Sequence, residues 1–349
     1  MAARKSFPGR IMGTDGDDVL FGDTPGTLAS GRGGHDRIDG GPGVDRLYGD
    51  AFGLTGRARG GDDHLIGGPA FYDQLYGDAD TMSGRSRGGN DVLDDFGGGW
   101  SLIYGDARVM TDQARGGHDV IFGGADAAWG DAWGMSGQSR GGDDLILLED
   151  RGVMNHAHGD AGALEGEARG GDDIIRGAGG VDEIFGDAVA MSGAVCGGDD
   201  VLFGRDGDDI LFGDARTLSV ITSPEGAQAP RAGDDSLFGG DGNDILHGDA
   251  ETIWWGATGG NDRLTGGGGA DIFVVAGDSS NGHDVILDYG RGGDVLRFEF
   301  LPILVPHRLE ARVEDGSTVI TLGDGTVTLR GYVGALNTSS DAPLDIVFV

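Results

Sequence analysis

Aspartate is the residue that could do chemistry in this chain, and it recurs at a fixed place. Paired glycines precede an aspartate, one free position and an aliphatic residue, as in GGHDRI at 33–38, GGDDHL at 60–65, GGNDVL at 88–93, GGDDLI at 141–146, GGDDII at 170–175, GGDDVL at 197–202 and GGNDRL at 259–264. A glycine turn can aim successive backbone carbonyls at one point, because positive φ costs glycine little. A carboxylate beside such a turn completes an oxygen cage, and a cage of about six to eight oxygens is what a hard cation such as calcium takes. One such hexapeptide would be a weak signal. Seventeen aspartates align in the slot: Asp18, Asp36, Asp45, Asp63, Asp73, Asp91, Asp119, Asp126, Asp144, Asp173, Asp182, Asp200, Asp209, Asp235, Asp244, Asp262 and Asp271. Two blocks depart from the pattern. Ser101 takes the aspartate slot at 94–104, and at 147–158 Asn155 takes it, with Ala157 in the aliphatic slot. Ala128 weakens the core behind Asp126 in the same way. At Asp126 and in 147–158 an ordinary solvated turn is an equal alternative, and these coils are expected to hold metal weakly or not at all.

The elements that must position these carboxylates are short strands. Between the aspartate and the next glycine there is room for three residues, and alternation lets only the middle one point inward. The expected inward set is Leu20, Ile38, Leu47, Leu65, Leu75, Leu93, Ile103, Ile121, Ile146, Ile175, Ile184, Leu202, Leu211, Leu237, Leu246 and Leu264. No single coil can bury so narrow a face, so the coils must stack and share it, as in a solenoid. A longer period is superimposed: Gly-Asp, usually followed by Ala, begins at Gly22, Gly49, Gly77, Gly105, Gly130, Gly159, Gly186, Gly213 and Gly248. Each copy then carries an apolar residue (Leu54, Met82, Met110, Met135, Leu164, Met191, Leu218, Ile253), and most continue to an arginine before the next Gly-Gly, with Cys196 in that place in one copy. Each copy therefore reads as two glycine-aspartate turns plus one long third turn, either a strand burying the Met or Leu or a bulging loop; the apolar spacing favours the strand.

Composition narrows the function. Glycine is 74 of 349 residues, about a fifth against a usual share of roughly 7%, without the strict triplet of collagen. The net charge is −34, and lysine occurs once, at Lys5. Such a chain repels itself unless counter-ions neutralise it, so the metal-free form is expected to stay unfolded. The acidity excludes nucleic acid as a partner, because phosphate binding needs a basic surface. A single cysteine, Cys196, allows no internal disulfide. The opening MAARKSFPGRIMG has no apolar stretch of the Sec type, and no run of about 18 apolar residues could span a membrane.

The repeats from about 13 to 275 resemble the RTX (repeats-in-toxin, haemolysin-type) calcium-binding family. The resemblance implies an all-β parallel β-roll in which a six-residue glycine-rich turn binds calcium and the following triplet forms a strand. On that reading the seventeen aspartates are side-chain ligands and the turn glycines supply carbonyls to multiple Ca2+ ions. The long third turn departs from the family's nine-residue unit. Residues 268–298 resemble the end of the roll in serralysin-type secreted proteins. The final Asp345-Ile346-Val347-Phe348-Val349 looks like the uncleaved C-terminal signal of type I secretion substrates. The resemblance thus implies an extracellular protein exported by a Gram-negative type I machinery that reads the C-terminus. The expected divisions are an N-terminal extension at 1–12, the roll at 13–275 and a β-rich capping and signal region at 276–349.

Other motifs are weaker. GRSRG at 84–88 and GQSRG at 137–141 fit a hydrolase pattern, but equivalent copies place Ala58 and Ala168 in the serine slot. His156 and His158 could share a transition metal, yet neighbouring copies put Tyr or Trp in the His158 slot, so an outward strand residue is the better reading. There is no HExxH. The expected function is a secreted protein that folds on extracellular calcium and has a structural or interaction role, not an enzyme. The alternative is a calcium-dependent extracellular enzyme or adhesin with its site on the roll or cap.

Overall fold

The structure is a computed structural model; it describes residues 4–7, 9–69, 72–95, 100–123, 127–150, 154–220, 229–254, 256–276, 282–299, 310–322, 324–334, 336 and 346–348. The chain forms two compact units, Met1–Ile175 and Arg176–Val349. Both are parallel β-solenoids, and no helix occurs among the described residues.

In the first unit each coil contributes one strand to each of three sheets. The first sheet stacks Arg10–Met12, Arg37–Asp39, His64–Ile66, Val92–Asp95, Val120–Gly123 and Leu145–Leu147. The second stacks Val19–Phe21, Arg46–Tyr48, Gln74–Tyr76, Leu102–Tyr104, Ala127–Trp129 and Asn155–His158. The third is the long turn of the sequence repeat, and it is a strand: Thr24–Leu28, Ala51–Leu54, Ala79–Met82, Ala107–Met110, Ala132–Met135 and Ala161–Gly166. Pairing joins equivalent residues of successive copies, such as Leu65 with Leu93 and Met82 with Met110. Register is fixed because a one-residue slip would carry every inward aliphatic to the outside.

The core is one narrow column per sheet. All sixteen expected inward aliphatics are 0–2% exposed, and the eight Met, Leu and Ile residues of the third strand are 0–3% exposed. The third strand does not alternate. In Ala79–Met82 the first and fourth residues are buried and the middle two partly exposed, so the chain bends between them. Ala51, Ala79, Ala107 and Ala132 are wholly buried, which explains the alanine after Gly-Asp: a larger side chain would meet the opposite sheets.

One expectation is corrected. The His158 slot is not an outward position. Tyr48, Tyr76, Tyr104, Trp129 and His158 are all buried and form a stacked column that Phe21 begins, with ring centroids 4.6–5.5 Å apart. Alternation fails because this residue ends its short strand, where the chain already turns the corner. Each stacked pair contributes about 0.5–1.5 kcal/mol beyond area burial.

The second unit repeats the scheme. Its first sheet runs through Val201–Asp206, Ser236–Asp241, Arg263–Gly268 and His283–Ile286, and its second through Asp182–Phe185, Ile210–Phe212, Ile245–His247, Ile272–Ala276, Val295–Glu299 and Ile346–Phe348. Parallel stacking continues past 275, since His283–Ile286 pairs with Arg263–Gly268 and Val295–Glu299 with Ile272–Ala276. Gly325–Leu329 then adds in parallel to His283–Ile286 and turns the sheet antiparallel through Ser317–Leu322 and Glu310–Glu314.

Candidate metal centre

The predicted aspartates stand at two corners of the coil, immediately before the strands of the first and second sheets. At the first corner each Asp N–H donates to the Oδ1 of its counterpart one copy further on: Asp36 to Asp63 (2.6 Å), Asp63 to Asp91 (2.7 Å), Asp91 to Asp119 (2.7 Å), Asp119 to Asp144 (2.7 Å) and Asp144 to Asp173 (2.6 Å). In the second unit the ladder runs from Asp200 through Asp235 and Asp262. The second corner is built alike, Asp18 to Asp45 to Asp73 in the first unit and Asp182 to Asp209, Asp244 and Asp271 in the second. One oxygen of each carboxylate therefore ties two coils together.

The other oxygen has no such task. Oδ2 of Asp63, Asp91, Asp119, Asp144, Asp235 and Asp262 is buried without a hydrogen-bond partner, as is Oδ2 of Asp45, Asp73, Asp209, Asp244 and Asp271 at the second corner. At the first corner these oxygens face the glycine of Gly-Asp. A Cβ on Gly105 would lie 2.3 Å from Asp119 Oδ2 and 1.5 Å from the carbonyl oxygen of Gly130. The same cradle recurs at Gly77 with Asp91 and at Gly130 with Asp144. Only glycine leaves room for a carboxylate oxygen and a carbonyl oxygen to converge there. Among the described residues no group of three or more His, Cys, Asp or Glu side chains is arranged to hold a metal. The donor set is therefore carboxylate plus backbone carbonyl, which fits calcium and does not fit zinc or copper.

The departures from the repeat are visible in the ladder. Asp73 N–H donates to Ser101 Oγ (3.1 Å) where another carboxylate would stand. In that same coil Asp95, fully buried, occupies the slot that holds Gly40, Gly67 and Gly123 in neighbouring copies. Its Oδ1 lies 2.3 Å from the point where a Gly67 Cβ would sit, and Asp73 Oδ2 lies 3.0 Å from that point. The carboxylate lost at position 101 is thus replaced from the opposite strand. Asp126 lies outside the described residues.

Sequence reasoning missed two groups. Asp284 and Asp294 continue the two ladders beyond Asp262 and Asp271 (3.1 and 3.2 Å); the glycines before them, Gly282 and Gly292-Gly293, were the available signal. The second group is the aspartate of Gly-Asp itself. Asp50, Asp78, Asp106, Asp131, Asp160, Asp187 and Asp214 are wholly buried. Each accepts from a glycine N–H further along the chain, the second of a Gly-Gly pair in all but Asp214, whose donor Gly233 follows Ala232; examples are Gly117 N–H to Asp106 (3.0 Å) and Gly142 N–H to Asp131 (2.9 Å).

Burial of so many carboxylates dominates the electrostatics. Desolvation, with the charge of Asp50 added, pushes Asp63 up to about 9. Desolvation likewise raises Asp50 to about 7, Asp73 to about 7 with the charge of Asp95 adding, Asp209 to about 7, Asp262 to about 7, and Asp131 and Asp244 to about 6. Asp91, Asp119 and Asp144 stand well above the usual range, from burial and then from neighbouring aspartates. Carboxylates on adjacent coils are about 4.8 Å apart, which at an effective dielectric constant near 20 is a repulsion of about 3 kcal/mol per ionised pair. Arg59, Arg87, Arg115 and Arg140 form an exposed rung on the outside of the coils and do not enter this interior. Bound cations are the remaining way to ionise these groups within the fold.

The serines of the hydrolase-like motifs are core residues. Ser86 and Ser139 are fully buried in the column that holds Ala58, Ala114 and Ala168 in other copies, where no substrate can reach them.

Comparison with known proteins agrees with the repeat reading. The family model of the RTX calcium-binding nonapeptide repeat (4 copies) matches residues 9–24, 28–52, 167–189, 197–215, 231–251 and 257–286. No curated protein matches the chain. Among solved structures it is similar to an extracellular lipase of Serratia marcescens at 17% identity, covering 88% of this chain and 45% of that one. The TM-score is 0.21, a likeness too slight to bear on fold or function, and the chain spans less than half of the lipase's length. With a parallel β-solenoid built on glycine-aspartate turns, and calcium-binding nonapeptide repeats along both units, the chain is an RTX repeat protein.

Proposed function

We propose that this protein is exported unfolded and folds outside the cell on calcium, serving there as a structural or interaction module. The observation that carries the reading is the file of buried carboxylates whose second oxygen has no hydrogen-bond partner. The corner aspartates from Asp18 to Asp271, with Asp284 and Asp294, are assigned as ligands together with the turn carbonyls. Where free calcium is scarce, the charge of −34 keeps the chain expanded and able to thread a narrow channel. Where calcium is millimolar, ions that bind only the folded state stabilise it by mass action. Folding on the far side then opposes back-sliding. A type I exporter that reads the terminal Asp-Ile-Val-Phe-Val suits this scheme, and 276–349 serves as cap and signal region behind the roll.

The test is export by a reconstituted type I exporter with calcium buffered separately on the two sides. Export that stalls when millimolar calcium is present on the entry side supports the reading. Export that proceeds equally with millimolar calcium on both sides removes it.

A further inference from the structure

We propose that the Gly-Asp aspartates form a second file of cation sites, with one ion held between each pair of successive carboxylates Asp50, Asp78, Asp106, Asp131 and Asp160, and again between Asp187 and Asp214. The inference rests on the calcium reading above and adds ligands at a position outside the glycine-rich nonapeptide turn.

Geometry supports it first. Gly60, Gly88, Gly116, Gly141 and Gly197, each the first glycine of a Gly-Gly pair, lie under two of these carboxylates at once. A Cβ on Gly88 would sit 1.7 Å from Asp106 Oδ1 and 2.4 Å from Asp78 Oδ2. On Gly116 it would sit 1.8 Å from Asp131 Oδ1 and 2.3 Å from Asp106 Oδ2, and on Gly141 1.9 Å from Asp160 Oδ1 and 2.3 Å from Asp131 Oδ2. On Gly197 it would sit 2.3 Å from both Asp187 Oδ2 and Asp214 Oδ1. Each carboxylate thus reaches toward both neighbours, and the missing Cβ marks the gap between them.

Hydrogen bonding supports it independently. These side chains are wholly buried, and Asp78, Asp106, Asp131 and Asp214 each accept from a backbone glycine N–H. Oδ2 of Asp131 and of Asp214 meets no donor at all. Two facing carboxylates need either a shared proton or a cation between them. A row of shared protons would leave no advantage to aspartate over asparagine, which keeps the acceptor for the glycine N–H and carries no charge. The first-corner Oδ2 atoms lie one residue away, against the glycine of each Gly-Asp, so the two files face a common strip of carboxylate and carbonyl oxygens along the coil corner. Calcium, with its high and flexible coordination number, suits bridging carboxylates of this kind.

The test compares the full chain with Asp78→Asn/Asp106→Asn/Asp131→Asn, in which the acceptors for Gly89, Gly117 and Gly142 remain. Bound calcium is counted by elemental analysis after equilibrium dialysis, and terbium luminescence lifetimes in H2O and D2O count the waters left on the ion. The triple variant is expected to keep its β-sheet signal in saturating calcium and to lose about three or more ions per chain. Single Asp106→Asn, the safeguard should the triple variant not fold, is expected to raise the waters per bound terbium. An unchanged ion count and unchanged lifetimes in a folded variant would overturn the second file and leave the corner-aspartate reading standing. An unsubstituted chain that binds no calcium would instead overturn that reading itself.

Discussion

Substituting Asp91 by asparagine should change stability in opposite directions with and without calcium. In the structure Asp91 Oδ1 accepts the Asp63 N–H at 2.7 Å, a bond that the asparagine oxygen keeps. Asp91 Oδ2 is buried without a partner and faces the cradle of Gly77 and the Gly105 carbonyl, which an amide NH2 can satisfy but where it cannot hold a cation. With calcium near 10 mM and a Kd of roughly 10⁻⁴ M, typical of extracellular modules, one lost ion costs about 2.7 kcal/mol. That corresponds to a fall in Tm of about 5–10 °C for a unit of this size. Without metal the fold holds Asp91 only by protonating it, because burial and then Asp78, Asp119 and Asp63 disfavour its charge. An amide needs no proton, so at neutral pH without metal the variant should be more folded than the parent. Thermal unfolding followed by circular dichroism, in calcium and in EDTA, reads both signs. Equal destabilisation in the two conditions would mean that Asp91 acts only as a hydrogen-bond acceptor, and the ligand assignment would fail.

Three further outcomes are expected. In EDTA, the raised folded-state pKa values mean that the fold binds more protons than the unfolded chain. The stability they contribute is full below about pH 4 and is lost through about 6–7, where Asp131, Asp50 and Asp73 titrate; β signal that instead rises from pH 4 to 7.5 in EDTA would refute the sign. Asp95→Asn should raise the calcium midpoint for folding, and adding Ser101→Asp should restore it, because Asp95 replaces the carboxylate missing from the ladder at Ser101; a midpoint unmoved by Asp95→Asn would make that replacement fortuitous. Ile103→Ala should cost about 3–5 kcal/mol in denaturant unfolding with saturating calcium, since Ile103 is fully buried and already pairs with the small Ala128. A loss under about 1 kcal/mol would show that the column is not close-packed.

Most of the fold was legible because the repeat enforces it. An aliphatic residue two places after the aspartate slot must point inward in so short a strand, and all sixteen such residues do, Ile103 behind Ser101 included. The third strand was readable from its Met and Leu spacing, although its bend between Ala79 and Met82 was not. Failures cluster at corners, where alternation has no meaning. Tyr76 follows an inward Leu75 and is itself buried, because the chain turns before the next residue can point out. The Gly-Asp aspartates read as ordinary turn residues, since the partners that bury them arrive from the far side of the coil, as Gly117 does for Asp106. Asp95 stands where neighbouring copies have glycine, outside the aspartate slot, and only the stacked coil shows it beside Asp73.

Far-UV circular dichroism of the EDTA-stripped protein at neutral pH, titrated with calcium against magnesium, tests most directly whether cations on these carboxylates specify the fold. The expected result is a cooperative gain of β signal between about 0.1 and 1 mM calcium and none with magnesium. A chain already β-structured without metal would contradict it, and the packed column of Leu, Ile and Met would then suffice to hold the solenoid.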